Sequence, residues 1–294
     1  MNTSVAKTTT TSRCLKLDTQ MHKDTNERYT HGHHSSVVDQ HRRRTVEEAA
    51  AFLLPHIEPT MSILDLGCGP GSITIGLARQ VPDGGVVGID IVSDVLEQAR
   101  ELAIDTGTSN VSFNHGDLYS LDYPDNSFDV VYAHQVLQHL TEPISALREI
   151  RRLLTPGGIV AVRDADYGTM VHSPDTREIV RWLELYHQIT SRNGGEPNAG
   201  RYLNGWLHES GFEEIEMSAS TWVFHKPAQL LNWGDSWGDR VTKSSFAEHA
   251  IEYGLCTVEE LEAIANAWRR WARTPNAFFS FLHVEGLGRT SQSR

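Results

Sequence analysis

The sequence predicts an α/β fold built on a doubly wound, mostly parallel sheet. Between residues 62 and 163, short apolar segments of strand length alternate with longer segments whose apolar residues recur at helical spacing. A glycine-rich turn follows the first of these strands and opens the first of these helices. Repeated alternation of this kind produces a sheet of parallel strands with helices on both faces.

Local signals place each element. Thr45 is a helix-capping residue with Glu48 three positions later, so we expect a helix over residues 45–56 that leads into the first strand. The remaining elements follow from short apolar runs and from amphipathic spacing. The predicted strands cover residues 62–66, 86–91, 111–114, 128–133 and 159–163, and the predicted helices cover residues 72–80, 93–105 and 144–154.

The alternation ends after Asp164, where helical patterns dominate. These patterns cover residues 175–191, 200–210 and 227–272, with strand-like stretches at 215–224 and 278–284. We therefore expect helical insertions that form a substrate cap over the sheet. The predicted divisions are a disordered tail at 1–28, a lid and helix at 29–56, a core at 57–165, the cap with the closing strands at 166–288, and a tail at 289–294.

Composition excludes several classes of function. Lys and Arg number 26 against 38 Asp and Glu, which gives a formal net charge of −12. Nucleic-acid binding relies on basic patches, so no nucleic-acid partner is expected. The three cysteines provide neither a disulfide framework nor a zinc-type spacing, which favours a reducing, cytoplasmic setting.

No targeting or membrane segment is evident in the pattern of apolar residues. No apolar run approaches the roughly 20 residues that span a bilayer, so stable membrane insertion is not expected. Residues 1–17 are rich in Ser and Thr and contain no acid. This composition favours a disordered tail, with a mitochondrial transit peptide as the alternative.

The glycine-rich turn, ILDLGCGPG, contains Gly67, Gly69 and Gly71. Without Cβ atoms the backbone can turn sharply and approach a ligand, while the first amides of the next helix face it. A dinucleotide site would place a third glycine or alanine where Ser72 stands, and Asp65 would repel a pyrophosphate. The turn therefore fits NAD poorly. The carboxylate of Asp65 can instead hold a positively charged amino group.

Two further acids end the next two predicted strands. Asp90 closes the VVGID strand nineteen residues beyond Gly71, where a carboxylate can bind both ribose hydroxyls. Asp117, in HGDL, follows the third strand and can accept a hydrogen bond from an exocyclic amine such as that of adenine. Ligands of open α/β sheets bind outside the carboxyl ends of the strands, so these acids and Asp65 predict a site for an amino-acid nucleoside.

Together with the LLTPGG turn, these motifs resemble class I S-adenosylmethionine-dependent methyltransferases, and FDVVYAHQVLQHL at residues 128–140 resembles the UbiE-type subgroup that acts on quinones and small molecules. The resemblance covers about residues 45–165. It implies an enzyme of the EC 2.1.1 type whose Rossmann-like core at 57–165 binds S-adenosyl-L-methionine.

The resemblance also implies a role for each motif residue. The glycines would cradle the methionine, with Asp65 near its ammonium group, and the other residues would hold the ribose, the adenine and the methyl group in turn. The implied cofactor-binding residues are Asp65, Gly67, Gly69, Gly71, Asp90 and Ile91 (ribose), Asp117 and Leu118 (adenine), and Ala133, His134 and Gln135 (near the methyl group).

The segment YTHGHH at residues 29–34 carries three histidines and allows two interpretations. A metal site would need a carboxylate or cysteine at a familiar ligand spacing, and none accompanies them, so no metal is expected. Class I methyltransferases often close their pocket with an N-terminal segment. By that resemblance, we expect the segment to fold over the cofactor as a lid, with Tyr29 or a histidine near the methyl group.

Candidate catalytic residues stand at the tips of the fourth and fifth strands. His134 and His139 lie near the expected reaction point, and either could act as a general base if its pKa lies near the working pH. A structural role for each is an equal alternative. Asp164, Asp166 and Tyr167 border the same crevice and are further candidates.

The seven tryptophans all follow residue 181, within the predicted cap. Most are expected to form its core. Trp233 and Trp237, beside two glycines, could instead line a pocket in which aromatic rings pack against an apolar acceptor and face the sulfonium cation. This favours a small-molecule acceptor that is aromatic, quinone-like or another secondary metabolite.

Two other functions stay open at this stage. A non-catalytic protein that binds S-adenosylmethionine would share the motifs but lack a closed acceptor pocket. An NAD-dependent oxidoreductase would use a similar sheet, although Ser72 and Asp65 argue against it. The sequence also leaves a homodimer open.

Overall fold

The computed structural model describes residues 28–30 and 40–292. Within this part of the chain, seven strands form one sheet in the order β3-β2-β1-β4-β5-β7-β6. Strands β1 to β5 are parallel, whereas β7 runs antiparallel to both β5 and β6. This sheet confirms the predicted fold class. The strands are β1 (Ser62–Leu66), β2 (Gly85–Asp90), β3 (Val111–His115), β4 (Phe128–His134), β5 (Leu154–Ser173), β6 (Glu213–Phe224) and β7 (Phe278–Arg289).

Helices cover both faces of the sheet, and separate apolar clusters lie beneath them. None of the described helices is long and apolar enough to cross a membrane. The α-helices are α1 (Val46–Ala49), α2 (Ser72–Gln80), α3 (Ser93–Asp105), α4 (Pro143–Leu153), α5 (Arg177–Arg192), α6 (Leu203–Glu209), α7 (Pro227–Lys243), α8 (Ser245–Glu252) and α9 (Val258–Ala272).

The first predicted helix is shorter than expected. The side chain of Thr45 accepts a hydrogen bond from the backbone N–H of Glu48, which confirms the predicted cap. However, α1 ends at Ala49, and residues 54–56 form a separate 3-10 turn. Pro55 lacks an N–H and disfavours helical backbone at the preceding residue, so one helix could not continue through it.

Strand β5 is much longer than the predicted strand at 159–163. The pairing of Leu154 with Phe128 precedes a register shift, so the TPGG turn is included in the strand. Beyond the end of β4, β7 supplies antiparallel partners for Asp164 and Asp166. A long antiparallel neighbour therefore extends the strand into polar residues, which the search for apolar runs could not detect.

The cap region has an aromatic core of its own. The rings of Trp182 and Trp268 meet edge to face with centroids 5.0 Å apart, and Trp237 lies 4.4 Å from Trp182. All three side chains are almost completely buried. The predicted helical stretch 227–272 is divided into α7, α8 and α9, because Ser244 and Thr257 each cap a new helix through a side-chain oxygen.

We expect Trp268→Ala to lower the free energy of unfolding by about 3–5 kcal/mol, because it removes the ring at the centre of this cluster and leaves a cavity. Urea titration followed by circular dichroism measures the change. Val258→Ala is the matched control on the same helix: Val258 is 55% exposed, and its truncation should change stability by no more than about 0.5 kcal/mol. Equal effects of the two substitutions would contradict the packing described.

Candidate functional site

A cavity of about 1010 Å³ opens at the carboxyl ends of β1, β2 and β4. Ordinary ligand cavities measure roughly 300–1,000 Å³, so this one can hold a nucleoside together with a second small molecule. Its two ends differ in chemistry. The loop half is lined by Gly67, Gly69, Pro70, Asp90, Ile91, Asp117 and Leu118, and the aromatic half by Tyr29, Tyr167, Trp222, Phe224, Trp233 and Phe281.

The glycine turn has a backbone that requires glycine. Gly67, Gly69 and Gly71 have φ values of +65°, +52° and +79°, in the left-handed region. A Cβ on Gly67 would lie 2.5 Å from a methyl carbon of Val136. Gly67 and Gly69 line the cavity, whereas Gly71 packs behind it and precedes α2. Because these residues have no side chains, the turn leaves space beside it that a ligand can occupy.

Asp90 holds the loop half together. One carboxylate oxygen accepts a hydrogen bond from the N–H of Gly69 at 3.0 Å, and the other accepts one from Val92 at 3.0 Å. Each oxygen has a further lone pair, so the carboxylate can also accept two hydroxyls. Asp117 likewise accepts from the N–H of Tyr119 and lines the cavity. These residues fit the ribose and the adenine of the cofactor that the resemblance implies.

Asp65 has a different environment from the one expected for a residue near the ammonium group. Its side chain is buried beneath the turn, outside the cavity lining, and accepts a hydrogen bond of 2.6 Å from the hydroxyl of Thr74 on α2. Burial raises the pKa of Asp65 to about 7. Ala133 is also buried behind the lining. Side chains alternate between the faces of a strand, so a strand-end position alone does not show which way the side chain points.

Gln135, just after β4, has a φ of +56° and lines the cavity. Its side-chain carbonyl accepts from Arg44 at 2.7 Å, and its amide group is 2.6 Å from Nε2 of His283. Because the oxygen already faces Arg44, the amide must donate to His283. Both partners lie outside the recognised motifs, so sequence analysis did not find them.

The two candidate histidines are held in the neutral state. His134 and His139 both line the cavity. Burial and the positive charges of Arg44 and Arg163 lower the pKa of His134 well below its ordinary value, and burial with Arg44 lowers that of His139 to about 3. Neither therefore carries a charge near neutral pH.

Hydrogen bonding indicates which ring nitrogens carry protons. The side-chain oxygen of Gln138 accepts from Ala165 N, so its amide donates to Nε2 of His139 at 2.9 Å. Nδ1 of His134 lies 3.5 Å from Arg163, which can only donate. His134 therefore carries its proton on Nε2, which has no hydrogen-bond partner among the described residues. The Nε2–H group of His134 is therefore a buried donor beside the cavity.

The other candidates at the strand tips differ in whether they reach the cavity. Tyr167 lines the cavity, but Asp164 and Asp166 do not. Asp164 is completely buried, accepts from the N–H of Gln138, and has its pKa raised by burial to about 7. Asp166 forms two hydrogen bonds of 2.6 Å with Arg201. Both acids are thus bound within the protein rather than exposed to a ligand.

The aromatic half was only partly predicted. Trp233 lines the cavity, whereas Trp237 lies in the core of the cap. Trp222, on β6, lines the cavity and was missed, as were two arginines. The guanidinium of Arg44 lies 5.5 Å from the Trp222 ring, and that of Arg240 lies 5.0 Å from the Trp237 ring. Both arginines border the cavity, and Arg240 is only 5% exposed.

The described part of the predicted lid contacts the cap. Tyr29 borders the cavity and packs edge-on against His139 at 4.7 Å. Arg28, the last residue of the predicted tail, forms an ion pair with Glu252. Thr30 accepts a hydrogen bond of 3.0 Å from the side-chain amide of Asn193. The three histidines of the segment and the tail at 1–27 lie outside the described residues, so the metal and transit-peptide alternatives are untested.

Comparisons with known proteins agree with this geometry. Residues 57–217 match the family described as "Methyltransferase domain". An uncharacterized methyltransferase of Schizosaccharomyces pombe is 33% identical over 270 residues, which cover 85% of this chain and 92% of that protein. A demethylmenaquinone methyltransferase of Listeria welshimeri is 34% identical over 173 residues, which cover 58% of this chain and 71% of that protein.

A solved structure supports the fold alone. A putative methyltransferase from Bacillus halodurans superposes with a TM-score of 0.55 and is 19% identical. The superposition covers 81% of this chain and 97% of that chain. It agrees with the Rossmann-like arrangement seen here.

We expect Asp90→Ala to weaken binding of S-adenosylhomocysteine at least about a hundredfold, because two charge-assisted hydrogen bonds to the ribose are lost. Isothermal titration calorimetry measures the dissociation constant. Asp94→Ala is the matched control, since Asp94 is an exposed acid in the first turn of α3. Unchanged affinity in the Asp90 variant would contradict the ribose assignment.

Proposed function

The chain belongs to the methyltransferase family, its cofactor is S-adenosyl-L-methionine, and we propose that it methylates a small molecule with an aromatic or quinone-like ring. The observation that carries the proposal is the continuity of the cavity. Its loop half has the acids and the open turn that suit a nucleoside, and its aromatic half has the rings that suit a flat acceptor.

We propose the following arrangement within the cavity. Gly67 and Gly69 lie along the methionine, Asp90 and Ile91 hold the ribose, and Asp117 and Leu118 hold the adenine. The methyl group points toward the aromatic half, past His134 and Gln135 and beneath Tyr29. Asp65, Gly71 and Ala133 support the turn from behind, since none of them reaches the cavity surface.

Little chemical assistance is required of the protein. The bound cofactor supplies a methyl group on a sulfonium: the acceptor's lone pair forms the new bond, S-adenosylhomocysteine leaves with the C–S electron pair, and any acceptor proton passes to solvent. The residues have to hold acceptor and methyl group in line and exclude water. Trp222, Trp233 and Phe281 provide flat apolar walls for this purpose. We propose that His134, whose Nε2–H lies beside the cavity, donates a hydrogen bond to the acceptor.

The UbiE-type subgroup is part of the proposal. It is supported by FDVVYAHQVLQHL and by the similarity to the Listeria enzyme, whose name specifies demethylmenaquinone. That similarity spans little more than half of this chain. The main support for the acceptor class is therefore the aromatic half of the cavity. A flat quinone-like ring would stack on Trp222 or Trp233.

Incubation of the protein with methyl-labelled S-adenosyl-L-methionine and a metabolite extract tests this function. We expect formation of S-adenosylhomocysteine together with a labelled product of low molecular mass that absorbs as an aromatic or quinone-like compound. Binding without turnover would favour the non-catalytic alternative. A labelled aliphatic product would contradict the proposed acceptor class, and binding of NAD in preference would contradict the family's chemistry for this chain.

Two substitutions can show whether His134 acts as a hydrogen-bond donor or as a general base. We expect His134→Leu to lower kcat about tenfold through loss of one hydrogen bond, and His134→Gln, which keeps a donor, to retain kcat within about threefold. Because the pKa of His134 is lowered well below its ordinary value, its titration should produce no change in kcat between pH 6 and 8. A wild-type limb near pH 6.5 that both variants abolish would instead identify a base.

A further inference from the structure

The sheet ends in a long strand whose outer edge is open. β6 (Glu213–Phe224) is the last strand in the sheet order and pairs with β7 on its inner side. Within the described part of the chain, no backbone hydrogen bond joins β6 to any other element. An edge strand presents a row of unpaired N–H and C=O groups, which is a template for pairing with another strand. β6 can therefore accept one more strand on its outer side.

Most of this edge lacks the features that usually prevent such pairing. Proteins protect edge strands with charged residues, proline or β-bulges. In β6 the register irregularity lies between Glu213 and Glu216, at the start of the strand. The remaining residues, 217–224, read MSASTWVF and contain no charged residue, glycine or proline. Met217 and Val223 are 39% and 42% exposed, so this uncharged run is accessible.

The two ends of β6 carry opposite charges. Glu213, Glu214 and Glu216 precede the uncharged run, and His225 and Lys226 follow it. All five side chains are exposed, and the backbone of Lys226 is still extended. When two copies of β6 pair antiparallel, the acidic end of each lies beside the basic end of the other, whereas a parallel pair would place acid beside acid. The strand is therefore complementary in charge to a second copy of itself in the antiparallel direction.

A second copy of this chain is the occupant that this edge fits. Pairing of β6 with the opposite edge of the sheet, β3, would leave one β6 and one β3 open and would propagate into a filament. β3 also has only five residues against the twelve of β6. An antiparallel pair of β6 strands uses the same edge twice, so it closes as a two-fold dimer and leaves neither β6 edge open.

We propose that β6 is the interface of a homodimer in which the two β6 strands pair antiparallel about a two-fold axis at Ala219. With this axis, Glu213 lies opposite His225 of the other copy and beside its Lys226, and the two sheets become one continuous sheet. Residues 220–224 line the cavity. The second copy therefore covers the outer edge of the strand that forms one wall of the cavity. The interface does not depend on which acceptor the cavity holds.

Sedimentation velocity of the full chain over a series of concentrations tests this interface. We expect the wild type to sediment as a species of twice the mass of one chain. Ala219→Lys places two ammonium groups next to each other at the axis, and we expect it to raise the dimer dissociation constant at least about a hundredfold. Ala219→Ser is the matched control: it changes the same exposed side chain without adding charge and should leave the constant within about twofold.

Charge reversal tests the antiparallel direction and leaves the uncharged run intact, so it stays informative even where Ala219→Lys folds poorly. Glu213→Lys and Lys226→Glu should each raise the dissociation constant at least about threefold. The double variant should restore it, because it exchanges the charges of the two ends. Arg148→Glu reverses the charge of an exposed residue of α4, outside β6, and should have no effect.

Hydrogen exchange and cofactor binding complete the test. We expect the amides of residues 217–224 to exchange more slowly in the wild-type dimer than in Ala219→Lys, while both bind S-adenosylhomocysteine equally. A wild type that is monomeric throughout the series, a dimer that Ala219→Lys leaves intact, or a dimer that Glu213→Lys tightens would overturn the interface. Methyl transfer is measured separately, so failure of the interface is distinguishable from failure of the proposed function.

Discussion

The antiparallel edge of the sheet depends on the buried ion pair between Arg163 on β5 and Glu285 on β7, next to the cavity-lining residues His134 and Ser220. Their side chains lie 3.1 Å apart, and Glu285 also accepts from the hydroxyls of Ser218 and Ser220 on β6. The backbone carbonyl of Arg163 accepts from Gln135 after β4. Burying two charges is costly, and removing one partner of such a pair destabilises a protein by about 3–5 kcal/mol. This ion pair thus adds a buried side-chain link to the backbone pairing between the parallel part of the sheet and its antiparallel edge.

This pairing also affects the electrostatics beside the cavity. Glu285 neutralises Arg163, whereas the arginines that line the cavity, Arg43, Arg44 and Arg240, belong to segments outside the sheet. The same guanidinium of Arg163 approaches His134 and contributes, with burial, to keeping that imidazole neutral. The site therefore combines fixed cations with neutral donors.

Sequence analysis predicted the loop half well because its signals are local. Gly67, Gly69 and Asp90 are adjacent to strand ends, and parallel strands bring those ends to one edge of the sheet. The direction in which each side chain points was harder to predict. Asp65 belongs to the motif, yet its side chain points toward Thr74. Trp233 and Trp237 illustrate the same difficulty in the cap: they are four residues apart on one helix, but only the first reaches the cavity. Which ring does so is decided by the packing of α7 against α9, and this contact between distant segments leaves no local pattern.

The boundary between predicted and unpredicted residues also has a functional meaning. The family match ends at residue 217, whereas Trp222, Trp233 and Arg240 lie beyond it, on β6 and α7. The loop half is built at the carboxyl ends of the strands, within the range of the family match. The aromatic half is built from the antiparallel edge and the cap, which β5 and β7 connect rigidly to the sheet through their extended pairing. Because those strands are continuous from one half to the other, the sheet fixes the position of its antiparallel edge relative to the strand ends that line the loop half.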